Sequence, residues 1–141
     1  MILYLDTSSL LKLYVQEPGT QDVQAHAEAV DRVATSVIAY PEAHAALARR
    51  HREGAMNRRD FKAVVEDFRE SWHRFLVIHL SLPVAVKAGS LAVRYGLRGM
   101  DAIHLASYAE ILDHGDVEFL SHDTRLMHAA HKHHASHRRG T

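Results

Sequence analysis

The sequence contains no cysteine, which excludes disulfide bridges and thiolate metal sites from its 141 residues. It also has no net charge, because 17 Lys and Arg residues balance 17 Asp and Glu residues. The whole chain is therefore not a strongly basic nucleic-acid binder, although local basic patches are compatible with this balance. No apolar run approaches the ~20 residues of a membrane-spanning helix, and the N-terminus lacks the basic region and cleavage site of a signal peptide. We expect a cytoplasmic protein, and the lack of cysteine is compatible with that reducing compartment.

Apolar residues make up 47% of the chain, which is typical of a globular protein with one core at this length. Short apolar runs alternate with longer segments that have helical periodicity. The predicted strands are residues 2–5, 32–36, 75–78 and 117–120. The predicted helices are residues 7–14, 20–30, 38–52, 57–72, 81–95, 101–112 and 124–130. This alternation predicts right-handed βαβ units in a three-layer α/β/α fold, with a central parallel sheet of about four strands. We expect one domain over residues 1–131 and an unstructured, flexible His- and Arg-rich tail over residues 132–141.

Four acidic residues, far apart in the sequence, lie next to predicted strand ends or on predicted helices. Asp6 and Asp123 each follow a strand, Asp101 opens a helix, and Glu42 lies near the start of another. Ligands of an open parallel sheet bind at the carboxyl ends of its strands. Glu42 and Asp101 also lie on largely apolar helical stripes without a Lys or Arg partner, where an unpaired carboxylate is costly. The four acids therefore predict a shared site for a divalent cation and phosphodiester chemistry.

Each acid also has a simpler interpretation. Asp101 is compatible with a helix N-cap, and Asp6 and Asp123 with turn residues after strands. A different Mg²⁺ enzyme on a parallel sheet is a further alternative. A phosphatase of the haloacid dehalogenase type would need a second Asp two residues after Asp6, and Ser8 stands there, which argues against that class.

The segments that carry the four acids resemble the motifs of PIN-domain ribonucleases of the VapC toxin type. The most specific match is Leu97-Arg98-Gly99-Met100-Asp101-Ala102-Ile103-His104. The other three segments are residues 5–19, 35–42 and 119–126, and the resemblance covers about residues 1–130. Two departures are the histidine at position 122 and the lack of a terminal apolar strand after the last helix.

The resemblance implies a PIN-like fold and a Mg²⁺-dependent endoribonuclease, with Mn²⁺ as a possible substitute. It further implies the toxin of a type II toxin–antitoxin pair, a cognate VapB-like antitoxin and a homodimer. Asp6, Glu42, Asp101 and Asp123 would be the catalytic and metal-binding acids, with Asp6 and Asp101 as direct ligands, and Ser121 would supply a small hydroxyl to the site. A catalytically silent PIN-like module that binds RNA or protein is the alternative, although such a module would normally have lost an acid. A DNA nuclease is a further alternative, because the four acids by themselves do not recognise the 2′-hydroxyl that distinguishes RNA from DNA.

Several basic and aromatic residues have two interpretations. The basic segment 49–62 is compatible with an RNA contact or with a solvated helix surface. Arg98 and Arg125 are placed by sequence to meet the scissile phosphate or to pair with the acids. His104 is expected to be packed and hydrogen-bonded. Core positions are expected for Trp72, Phe75 and Tyr108. The tail histidines are compatible with adventitious Zn²⁺ or Ni²⁺ binding.

Overall fold

The computed structural model describes residues 1–140. Four strands and seven helices alternate along this part of the chain. The strands are β1 (Ile2–Leu5), β2 (Arg32–Ser36), β3 (Leu76–Ile78) and β4 (Val117–Leu120). The helices are α1 (Thr7–Leu11), α2 (Thr20–Glu28), α3 (Ala39–Arg52), α4 (Arg58–Ser71), α5 (Leu82–Tyr95), α6 (Gly99–Leu112) and α7 (Thr124–Arg139), with a 3₁₀ turn at Trp72–Arg74. No helix among residues 1–140 is long and apolar enough to cross a membrane.

The strands form one parallel sheet in the order β3-β2-β1-β4. The predicted parallel sheet of about four strands is confirmed. The central strand β1 pairs on both sides, so that Ile2 lies opposite Arg32 in β2 and opposite Val117 in β4. Because all four strands run the same way, their carboxyl ends lie along a single edge, and the segments that follow β1, β2 and β4 start there.

Helices cover both faces of the sheet, which confirms the three-layer architecture. Successive side chains of β1 point to opposite faces. Leu3 and Leu5 pack in the cluster formed with α1 to α4, whereas Tyr4 packs in the cluster formed with α5, α6 and α7. Tyr108 is buried in this second cluster, as expected from the sequence. Trp72 and Phe75 pack, partly buried, against the first.

Several helix ends follow local capping rules. The side chain of Asn57 accepts a hydrogen bond from the backbone N–H of Asp60, and Ser81 caps α5 in the same way through Val84. Helix α5 ends at Gly96, whose φ of 64° lies in the left-handed region that glycine tolerates best. Helix α6 begins at Gly99, two residues before the predicted start, and Arg98 is its N-cap. Asp101 therefore lies inside the first turn, so its interpretation as the N-cap is wrong.

The expectation of an unstructured tail after His131 is also wrong for residues 132–139, because α7 continues to Arg139; Thr141, the last residue of that tail, lies outside the described residues. The segment contains no glycine or proline before Gly140 that would end the helix. Two contacts attach its outer half to α6 and the residue that follows it: Tyr108 Oη lies 2.7 Å from His134 Nδ1, and Asp113 Oδ1 lies 3.4 Å from His137 Nε2. Its histidines therefore extend a helix that is already nucleated by the buried Leu126, Ala129 and Ala130.

Candidate active site

Asp6 lies at the carboxyl end of β1 and is the N-cap of α1. Its Oδ1 accepts a hydrogen bond from the backbone N–H of Ser9 at 3.1 Å, and its Oδ2 accepts one from Ser121 Oγ at 2.7 Å. The residue is only 5% exposed. The carboxylate is therefore held in one orientation by donors from two different strand ends.

Asp123 repeats this arrangement after β4. Its Oδ1 accepts a hydrogen bond from the backbone N–H of Leu126 at 2.9 Å and so caps α7. Its own backbone N–H donates to Ser121 Oγ at 3.0 Å. The buried Ser121 hydroxyl thus joins Asp6 to Asp123. This hydroxyl already donates one hydrogen bond and accepts another, so its role here is to orient the acids, and a direct contact with substrate stays a prediction.

Glu42 lies in the first turn of α3 and is held from the other side of the cleft. Its Oε1 accepts a hydrogen bond from Thr7 Oγ1 at 2.5 Å and lies 3.1 Å from His104 Nε2. Burial alone would raise the pKa of Glu42, but the hydrogen bonds from His104 and Thr7 outweigh it and the pKa is lowered. The carboxylate is therefore stabilised in its charged form.

His104 connects this carboxylate to the core of the protein. It is 2% exposed, and its Nδ1 lies 2.8 Å from Tyr4 Oη on the central strand. Its Nε2 also lies 3.0 Å from Thr7 Oγ1. The expectation of a packed, hydrogen-bonded histidine is confirmed, and the structure adds that its Nε2 faces Glu42.

Asp101, in the first turn of α6, differs from the other three acids. Among residues 1–140 its carboxylate has no hydrogen-bond or ion-pair partner. Burial raises the pKa of Asp101, and the charges of Asp123, Asp6 and Glu42 raise it further against an opposing effect of His104. A partly buried carboxylate surrounded by like charges, with no donor of its own, is the arrangement that a bound cation would stabilise.

Three of the four acids line a single cleft of about 310 Å³, namely Asp6, Glu42 and Asp101. Asp123 is not part of this lining, although its charge acts on Asp101. The carboxylate oxygens are the donors that Mg²⁺ and Mn²⁺ prefer. Within residues 1–140, however, no three His, Asp or Glu side chains are grouped closely enough to hold a metal ion as they stand. The donor chemistry therefore fits a hard divalent cation, while a complete set of protein ligands is not assembled around one point.

A cluster of Lys12, Glu17 and Arg50 borders the cleft, and the sequence indicated Arg50 only as a member of the basic segment 49–62. Glu17 Oε1 accepts a hydrogen bond from Lys12 Nζ at 2.9 Å, and Glu17 Oε2 accepts one from Arg50 Nη2. Burial would raise the pKa of Glu17, but the bonds from Arg50 and Lys12 lower it overall. Glu42 and Arg50 are eight residues apart on α3, a spacing that keeps both near one side of a helix. That spacing is the sequence signal that would have identified Arg50.

The two arginines chosen from the sequence lie outside the cleft. Arg98 is exposed at the start of α6. Arg125 Nη1 donates to the backbone oxygen of Gly96 at 3.4 Å. Neither lines the cleft or makes an ion pair with an acid within the described residues. Their contact with a phosphate stays a prediction.

The comparisons with known proteins agree with this fold and with the sequence motifs. The family model of the PIN domain matches residues 3–132. Ribonuclease VapC45 and ribonuclease VapC49, from two strains of Mycobacterium tuberculosis, are each 34% identical to this chain over 130 residues, covering 92% of this chain and 90% of the relative. The chain therefore belongs to the PIN domain family, and the resemblance to its VapC-type members is confirmed.

Solved structures show the same fold at lower sequence identity. The FitAcB structure from Neisseria gonorrhoeae matches with a TM-score of 0.67 and 21% identity, covering 93% of this chain and 94% of that one. A toxin–antitoxin complex from Klebsiella pneumoniae matches with a TM-score of 0.63 and 22% identity, covering 86% of this chain and 87% of that one.

Proposed function

We propose that this chain is the toxin of a type II toxin–antitoxin pair and acts as a divalent-metal-dependent endoribonuclease. The observation that carries the proposal is the Asp101 carboxylate, which has no hydrogen-bond or ion-pair partner among residues 1–140 and lies in a cleft that also contains Asp6 and Glu42. The names of the relatives support the same activity, since both are ribonucleases. Substrate and metal are inferred from this chemistry and from the family.

In this proposal Asp6 and Asp101 hold the cation, while Glu42 and Asp123 hold water or a second ion. When bound, Mg²⁺ or Mn²⁺ supplies a lowered pKa for a bound water and neutralises charge on the phosphoryl oxygens. Ser121 fixes the Asp6 carboxylate, and His104 and Thr7 fix Glu42. The carboxylates therefore meet the substrate in positions set before it binds, which lowers the cost of ordering them.

Two protein partners belong to the proposal. Solved structures with this fold include toxin–antitoxin complexes, and we expect a VapB-like antitoxin to bind this chain and to block cleavage. We also expect a homodimer, which the family resemblance implies. Co-purification of a co-expressed antitoxin and light scattering of the isolated toxin measure these two assemblies.

The activity is tested with purified protein that has been freed of antitoxin. We expect it to cut a structured RNA in Mg²⁺ or Mn²⁺ and to stop in EDTA. Asp101→Asn should reduce the cleavage rate by at least ~10²-fold, because an amide is a poor replacement for a charged metal ligand. The matched control is Asp113→Asn, which makes the same change after the last residue of the same helix, beside His137, and should leave the rate unchanged.

The outcomes separate the proposed activity from its alternatives. Cleavage by Asp101→Asn at the rate of the parent chain would contradict the active-site assignment. RNA that is bound but not cut by the parent chain would favour the catalytically silent PIN-like module. Cutting of single-stranded DNA at the same rate as RNA of the same sequence would favour the DNA nuclease.

A further inference from the structure

The guanidinium of Arg50 is held by Glu17 and is still partly exposed to solvent. Its guanidinium bonds to Glu17, whose other carboxylate oxygen is taken by Lys12. The side chains of Glu17 and Lys12 are 17% and 12% exposed, whereas that of Arg50 is 32% exposed. A guanidinium has five N–H donors. Donors therefore remain on Arg50, at the border of the acidic cleft, after its bond to Glu17 is made.

A second groove continues from this border along α3. It has a volume of about 510 Å³ and is lined by Ala45, Ala46, Arg49, Arg50, Arg52 and Glu53. Ala46 and Arg50 also line the acidic cleft, so the two concave surfaces adjoin at these two residues. Ala45 and Ala46 contribute only methyl groups, which leaves room for a ligand beside the long arginine side chains.

The charge of this α3 groove is opposite to that of the cleft. Three arginines face one carboxylate, that of Glu53, which pairs with Arg49 at 3.0 Å. Both members of this pair are mostly exposed, at 73% and 59%, so the pair is weak and can be replaced by another anion. Arg49 and Arg52 are three residues apart and are therefore neighbours on the helix surface. A chain of regularly spaced anions that passes through the cleft would meet Arg50 first and then Arg49 and Arg52.

We propose that the α3 groove is the track along which single-stranded RNA leaves the cleft, with Arg50 binding the backbone phosphate next to the scissile one. This inference rests on the proposed ribonuclease function. It favours α3 over the start of α4, because Arg58 and Lys62 line a different groove that shares no residue with the cleft. The basic segment 49–62 thereby divides into a part that binds RNA and a part that does not.

The test compares two double variants that remove the same charge from neighbouring helices. Arg49→Ala with Arg52→Ala removes two exposed arginines from the α3 groove, and Arg58→Ala with Arg59→Ala removes two exposed arginines from the start of α4. Both pairs are made in an Asp101→Asn background, which prevents cleavage during the measurement. The probe is a single-stranded oligouridylate of twelve nucleotides, and its affinity is measured against salt concentration.

Log affinity falls as log salt concentration rises. For single strands, each lost phosphate contact makes this fall less steep, so that the magnitude of the slope decreases by about 0.7. We expect the α3 pair to lower this slope by about 1.4 and the α4 pair to leave it unchanged. Arg50→Gln alone should lower the slope by about 0.7. Because the four residues of the two double variants are exposed, these variants test the track even if Arg50→Gln fails to fold.

An unchanged slope for the α3 pair, or equal slopes for the two pairs, would overturn the proposal. Normal RNA binding by the α3 pair together with loss of a co-expressed antitoxin would identify the groove as a protein-docking surface and would overturn it as well. The experiments distinguish failure of the proposed RNA track from failure of the proposed ribonuclease activity. If the parent chain cuts no RNA but the α3 pair still lowers the slope, the ribonuclease assignment fails and the RNA track stands.

Discussion

Replacing Asp101 with asparagine should stabilise the metal-free protein. The substitution keeps the shape of the side chain and breaks no hydrogen bond within the described residues, since the carboxylate makes none there. It removes the cost of burying the charge and the repulsion with Asp123, Asp6 and Glu42, while it gives up the smaller opposing effect of His104. Two like charges 4 Å apart repel by about 1 kcal/mol in water and about 4 kcal/mol at an effective dielectric constant of 20.

The net change in the free energy of unfolding should be near the lower of these two repulsion energies. The cleft is open to water, and an acid in the first turn of a helix contributes about 0.3–1 kcal/mol through the helix dipole, which the asparagine loses. We therefore expect a gain of about 1 kcal/mol in the free energy of unfolding. For a domain of this size that gain raises Tm in EDTA by about 4 °C.

Added metal should make the parent chain more stable than the Asp101→Asn variant, which is the reverse of their order in EDTA. At a metal concentration of 100 times its Kd, the parent chain gains about 2.7 kcal/mol. If loss of the carboxylate weakens metal binding by about 10–100-fold, the Asp101→Asn variant gains only about 0.4–1.4 kcal/mol at the same concentration. Differential scanning calorimetry in EDTA and in Mn²⁺ measures both effects on one pair of proteins.

The pH dependence of the difference follows from the raised pKa of Asp101. An acid whose pKa is higher in the folded than in the unfolded state destabilises the fold when it is ionised. This penalty is absent below the pKa of the unfolded state, which is 3.8 for an ordinary Asp side chain, and is complete once the pH has passed the raised pKa of the folded state. The difference in Tm between the two proteins in EDTA should therefore be largest at neutral pH and shrink as the pH is lowered toward 3.8. Equal melting in EDTA at neutral pH, together with equal responses to Mn²⁺, would refute the assignment of Asp101 to a shared metal site.

Two further substitutions should lower stability instead. Glu42→Gln should reduce the free energy of unfolding by about 1 kcal/mol in EDTA, because its charged hydrogen bond with His104 is replaced by a neutral one; chemical denaturation measures this, and a stabilised variant would show that the carboxylate is strained rather than held. Gly19→Ala should cost more than about 1 kcal/mol, since Gly19 has a φ of 94° and an added Cβ would lie 2.9 Å from His122 Nε2; Gly89→Ala, where a Cβ meets nothing within 4 Å, is the control that should not be destabilised.

The order of strands and helices could be predicted because most of the boundaries have a local cause. The strands are short apolar runs, and capping residues such as Asn57 and Ser81 stand at the helix starts where sequence rules place them. The end of α7 could not be predicted in the same way. Its outer half is polar and rich in histidine, and its contacts with Tyr108 and Asp113 involve residues that the sequence places far away.

The acidic residues of the candidate site could be predicted from the sequence, whereas the basic residues around them could be predicted only in part. The acidic positions follow from strand ends and helix stripes, which are local patterns. The Glu17–Arg50 contact depends on how the loop after α1 folds back onto α3, a long-range arrangement with only a weak signal in the spacing along α3. The sequence therefore placed Arg98 and Arg125, which are next to the acids in the chain, at the scissile phosphate. It indicated Arg50, which borders the cleft in space, only as a member of the basic segment 49–62.

All four acids lie at the start of a helix, and this common position explains how the fold tolerates their charge. Asp6 and Asp123 are the N-caps of α1 and α7, while Glu42 and Asp101 lie in the first turns of α3 and α6. Exposed N–H groups and the helix dipole favour negative charge at each of these places. Substitutions at the four acids are nevertheless not equivalent. A cap contributes typically ~1 kcal/mol, so neutralising Asp6 or Asp123 removes a stabilising bond together with the repulsion. Asp101 makes no such bond within residues 1–140, and its charge is therefore the one that the proposed cation would compensate most directly.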